Sequence, residues 1–182
     1  MKIEITIHWN NSKDFSQNKI NLRKDNGDFI TTGEDHLIKT KEFDVDRPPD
    51  VASRIAARDE TLMNLFADAK TEIVERESNR RTTRTHYHAL GREGVATFHF
   101  RFLPDGRISF EKLCDGNVWQ ELSGTVSFEK RGNGTQVALK MVGRTKALVP
   151  EFAIRAPMRD QIEQMASSLR ACIEATEASE AS

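Results

Sequence analysis

Apolar and polar residues alternate along most of the second half of this chain, and the alternation changes period once, near the end. From residue 81 to 145 the period is two, the signature of strands with one buried face. From Met158 onward it is that of a helix. Met158, Ile162, Met165, Leu169, Cys172 and Ile173 recur three or four residues apart, with Arg159, Asp160, Glu163, Gln164, Ser167 and Arg170 between them. Pro157 does not suit a straight helix interior. The long helix therefore starts near it, or carries a bent first turn from Val149 to Arg155.

The strands are separated by turn chemistry, and each turn implies a register. A tight turn at GREG (Gly91 to Gly94) pairs Leu90 with Val95, His88 with Thr97 and His86 with His99. A three-residue PDG loop with Gly106 left-handed pairs Phe102 with Ile108 and Phe100 with Phe110. A DGN loop (Asp115 to Asn117) sets Phe110 against Leu122. An Asn133-Gly134 turn sets Phe128 against Leu139 and Val126 against Met141. These registers gather Tyr87, Phe98, Phe100, Phe102, Ile108 and Phe110 on one face, with Leu122, Val126, Phe128, Val137, Leu139 and Met141. Arg84, His86, His88, Thr97, His99, Arg101, Ser109, Glu111, Ser123, Thr125 and Ser127 fall on the other. One dry face and one wet face is the antiparallel pattern, and a slip of one residue would expose every Phe.

Upstream, His36 to Val45 reads as a strand, ended by Pro48 and Pro49. Val51 and Ile55 mark one short helix; Leu62, Leu65 and Phe66 mark another; KTEIVERE follows as a strand. Alanine is absent from residues 1–50 and frequent afterwards, which sets residues 1–35 apart as an N-terminal extension. Ile3, Ile5 and Ile7 alternate there as a strand, and KDNGD (24–28) offers a turn, so a strand or hairpin added to the sheet is expected. Residues 36–177 form the main domain and 178–182 a frayed tail.

Composition narrows the function classes. A net charge of −1 gives no basic field for nucleic acid. No apolar run is long enough to span a bilayer, and MKIEITIHWNNSKDF does not read as a secretion signal. Two cysteines, Cys114 and Cys172, make no disulfide framework, so a cytoplasmic protein is expected.

The order of strand, two short helices, meander and long helix resembles the helix-grip fold of the START-like (SRPBCC) superfamily. That group includes birch-pollen-allergen-like, lipid-transfer, coenzyme Q-binding and polyketide cyclase/dehydrase proteins. The resemblance rests on FDVDRPPDVASRIAARDETLMNLFADAKTEIVE (43–75), GTVSFEKRGNGTQVALKMVG (124–143) and the final helix. It implies an α+β fold in which a curved antiparallel sheet of six or seven strands wraps the C-terminal helix. It also implies a hydrophobic or amphipathic small molecule, such as a lipid, an isoprenoid quinone or a polyketide-like compound, held between them. The cavity would be lined by the dry-face residues Tyr87, Phe98, Phe100, Phe102, Ile108, Phe110, Leu122, Val126, Phe128, Leu139 and Met141. Met158, Ile162, Met165 and Leu169 would face them from the helix. The phenylalanines on the concave face make that lining bulky, so the space should be small. A cyclase or dehydratase using the same cavity is the alternative, as is a protein-interaction module gripping through the extension, which also leaves room for a homodimer. Transient membrane contact fits a carrier of this kind.

The polar candidates are few. Lys112 and Gln120 should point inward and face each other, where they could orient a ligand carboxylate or carbonyl. The simpler reading places both at the end of the sheet, snorkelling to water. His86, His88 and His99 with Glu111 have the donors for zinc, but Arg84 and Arg101 beside them oppose a cation, so a solvated outer face is expected and no metal. No phosphate loop, catalytic triad or inward carboxylate pair is visible, so neither a cofactor nor catalysis is expected from these residues.

Overall fold

A computed structural model describes residues 23–24, 29–31, 36–89, 92–114, 118–146 and 149–175. The strand expected at Ile3 to Ile7 and the turn residues 25–28 lie outside these. Two short strands, β1 (Arg23–Lys24) and β2 (Phe29–Thr31), pair antiparallel, and β2 pairs with β3 (Leu37–Val45). The chain then forms helices α1 (Pro49–Ala56) and α2 (Asp59–Met63). Strands β4 (Lys70–Arg76), β5 (Arg80–Ala89), β6 (Arg92–Phe102), β7 (Ile108–Lys112), β8 (Trp119–Arg131) and β9 (Gly134–Thr145) follow. Helix α3 (Glu151–Ala175) closes the structure. Every adjacent pair is antiparallel, in the order β1-β2-β3-β9-β8-β7-β6-β5-β4. Strands β3 to β9 make the curved seven-stranded sheet of an α+β helix-grip.

Helix α1 opens with Pro49, where a missing N–H costs nothing, and the Ala52 amide donates to the Pro48 carbonyl at 2.9 Å. The Thr61 hydroxyl donates to the Ile55 carbonyl at 2.7 Å and ties α2 to α1. Asp59 accepts hydrogen bonds from Arg76 at 2.7 Å and Arg81 at 2.8 Å, which clamps α2 to the far ends of β4 and β5. Helix α3 buries Ile154, Met158, Ile162, Met165, Ala166, Leu169 and Ile173 against the sheet. Lys41 on β3 pairs with Glu163 at 2.7 Å along its flank. Pro157 lies inside a continuous α3 at an exposed position, where water can satisfy the carbonyl that its ring leaves without a donor.

The β6–β7 register is the expected one, with Phe100 opposite Phe110 and Phe102 opposite Ile108. Three other registers differ. His86 pairs with Val95 and His88 with Glu93, because the β5–β6 turn closes between Ala89 and Arg92. Phe110 pairs with Gly124 rather than Leu122, because its ring occupies the space a Cβ at that glycine would need. Val126 pairs with Leu139 and Phe128 with Val137, because Gly132, at φ 60°, takes the left-handed turn position in place of Gly134. Each shift is by an even number of residues. Side chains alternate with period two, so the dry face stays dry despite three wrong registers.

Candidate functional site

The expected lining residues occupy the inner face and its covering helix, and most are deeply buried. Phe98, Phe100, Ile108, Phe110, Leu122, Val126, Leu139 and Met141 are in the core, as are Met158, Ile162, Met165 and Leu169 of α3. Phe102, Phe128 and Tyr87 are half-buried at its margins. Three ring contacts run across the middle of the sheet. Phe66 stacks on Phe98 at 5.4 Å, Phe98 meets Phe100 at 6.2 Å, and Phe100 meets Phe110 at 5.9 Å. The partly open space beside Phe100, Leu139 and Met165 is about 10 Å³, room for about one water, and its walls are apolar. The centre of the grip is therefore filled.

The picture changes toward the end where α3 begins. The β5–β6 turn, the β7–β8 connection and the first turn of α3 all gather there. Leu113 and Val118 in the connection are 43% and 42% exposed, and Phe152 in the first turn of α3 is 78% exposed. The inner face becomes polar along β5. Thr83 is fully buried, and its hydroxyl lacks a hydrogen-bond partner among the described residues. Thr85 shares a hydrogen bond with Thr71 at 3.0 Å. Tyr87 lays its ring over Gly94 on β6.

Lys112 belongs to this end. It ends β7 on the inner face, directly across from Phe98, which pairs on its other side with Thr83. Burial pushes its ammonium below the ordinary lysine range, with the nearby Cys114 thiol acting in the opposite sense. Gln120 does not face it. A bulge between Trp119 and Glu121 turns Trp119 into the core and leaves Gln120 exposed, so the expected inward pair is not formed. The bulge, and with it the buried Trp119, was not legible from turn chemistry; the unpaired large aromatic of NVWQ was the available signal.

The histidines do not converge. His86 is exposed opposite Val95, with Glu72 3.8 Å away, while His99 pairs with Thr82. The Thr82 hydroxyl donates to Glu75 at 2.8 Å and lies 2.9 Å from His99 Nδ1, so the ring donates to it. That hydroxyl, with Arg80, holds the Glu75 carboxyl below its usual range. Glu111 stands opposite His99 as expected, and the His88 side chain lies outside those described. Among the described residues no group of three His, Cys, Asp or Glu side chains is arranged for a metal. Cys172 is half-buried, and burial pushes its thiol up, the environment of an inert packing group. Among the described residues no helix is long and apolar enough to cross a membrane.

No protein family and no curated protein matches the chain by sequence. Solved structures do match. The Zhui aromatase/cyclase of Streptomyces sp. R1128 is 17% identical with a TM-score of 0.62, covering 76% of this chain and 91% of its own. A START superfamily protein of Mycobacterium smegmatis is 15% identical with a TM-score of 0.60, covering 75% and 96%. A STAR-related lipid transfer protein fragment of Xanthomonas axonopodis is 14% identical with a TM-score of 0.52, covering 85% and 98%. The chain has the START-like helix-grip fold.

Proposed function

We propose that the protein binds a hydrophobic or amphipathic small molecule between the inner face of the sheet and the first turns of α3. The reading is carried by the contrast within one seam. The seam is packed solid at its centre, yet its α3 end is lined by half-buried Tyr87 and Lys112 and rimmed by exposed Leu113, Val118 and Phe152. An apolar recess with a few polar groups is the usual composition of a small-molecule site. The fold supports the reading by analogy, since one solved neighbour is named as a lipid transfer protein and another as an aromatase/cyclase. With so little free volume at the centre, the ligand sits toward the α3 end, and the turns before Pro157 move aside to admit it.

Displacement of Nile red by a long-chain alcohol, with native mass spectrometry of the mixture, tests this. A displaced dye and a one-to-one mass addition are expected. Failure of the dye to bind, with no adduct, would overturn the reading.

A further inference from the structure

Within that reading, on which this inference rests, one side chain carries information about the ligand's chemistry. Lys112 is a cation of the inner face toward the α3 end; Lys39, buried on the same face across from Met141, already has an interaction partner. The direct neighbour of Lys112 on β6 is Phe98. On the other side the β7–β8 register sets Gln120 two residues past the position across from it, with the bulge at Trp119 turning Gln120 outward. Among the described residues the Lys112 ammonium makes no hydrogen bond or ion pair, although it is largely withdrawn from water. Thr83, with its orphaned hydroxyl, stands two strands away from it across Phe98. Tyr87 stands two inner-face positions from Thr83 toward the rim. Its hydroxyl also has no hydrogen-bond partner among the described residues. A cation held partly dry beside an aromatic ring costs stability unless an anion joins it. A single ammonium balances a single negative charge.

We propose that Lys112 is the head-group anchor of the site and that the ligand is a hydrophobic carboxylic acid. The ammonium pairs with the carboxylate, and the apolar tail lies along the inner face beneath α3. Removal of the carboxylate's charge, or of the lysine's, takes away the same interaction.

The test compares dodecanoate with dodecanol on the full chain, by displacement of Nile red, in the wild type, K112M and K112R. The wild type is expected to favour the acid by about tenfold, the usual worth of one charge-assisted hydrogen bond. K112M should lose that preference, read as the acid-to-alcohol ratio so that a change common to both compounds cancels, and K112R should recover part of it. Circular dichroism and Tm check that both variants fold. Equal binding of acid and alcohol by the wild type, or a preference that survives in K112M, overturns the anchor while leaving the binding site standing. Absence of binding by either compound overturns both.

Discussion

The two ends of the seam between sheet and α3 are built from the same alternating pattern and come out differently. At the α1–α2 end most inward positions carry large apolar side chains, Arg81 across from Phe100 being an exception tied to Asp59, and the helices supply a second layer. Phe100 touches rings on both neighbours, and Leu62, Leu65 and Met165 close over it. At the other end the inward positions on β5 are Thr83, Thr85 and Tyr87, and β7 ends in Lys112. The helix turn above presents Phe152 to solvent. The same inward alternation thus gives an apolar core where its residues are large, and a more polar inner face where they are Thr83, Thr85, Tyr87 and Lys112. Burial energy separates the two. A fully buried apolar side chain contributes about 1.5–3 kcal/mol, so stability should concentrate at the first end and recognition at the second.

The sharpest test of that division is Phe100→Ala. The cavity left among Phe98, Phe110, Leu139 and Met165 should lower stability by about 3–5 kcal/mol in urea unfolding. A loss below about 1 kcal/mol would mean that the centre of the grip is loosely packed, and the contrast between the ends would collapse.

A smaller effect is expected at the clamp of the packed end. Hydrogen bonds from Arg76 and then Arg81 hold the Asp59 carboxyl below the usual aspartate range. A carboxylate whose pKa is lowered by folding adds stability above its unfolded value and loses that contribution as the pH falls through the folded one. Asp59→Asn should therefore destabilise the protein by about 0.5–1 kcal/mol at pH 7, the scale of a partly exposed ion pair. The difference should vanish in acid, below the folded value, where both proteins carry a neutral group. An unchanged difference down to the acid limit would show that shape, not charge, holds α2 in place.

Much of this division could be read from the residues. The period-two run of Phe, Ile, Leu and Val fixes which face is buried, and three mistaken registers left that unchanged because each missed by an even count. Registers themselves depend on where a chain turns and on which residue lacks a Cβ. Gly132 and Gly134 compete for one turn, and only the strand partners decide between them. The inward place of Lys112 followed from alternation. The outward place of Gln120 did not, because a bulge inserts one residue and inverts the parity beyond it. The expected facing of His86 and His99 failed for a related reason. It required the β5–β6 register as well as the face, and only the face was determined by the pattern.

The gentlest test lies at the rim. Phe152 sits in the first turn of α3, 78% exposed, ahead of Pro157 and the buried Met158. Its ring contributes little to the core, so Phe152→Ser should change stability by less than about 0.5 kcal/mol. The same substitution removes an apolar surface from the proposed entrance and should slow capture of Nile red severalfold in stopped-flow fluorescence. A fall in Tm of several degrees would place the ring in the core after all. Unchanged capture at unchanged Tm would move the entrance away from α3, toward the β5–β6 turn. The two ends of the seam are separable only if this residue alters capture without altering stability, because the packed end offers no position where the two quantities come apart.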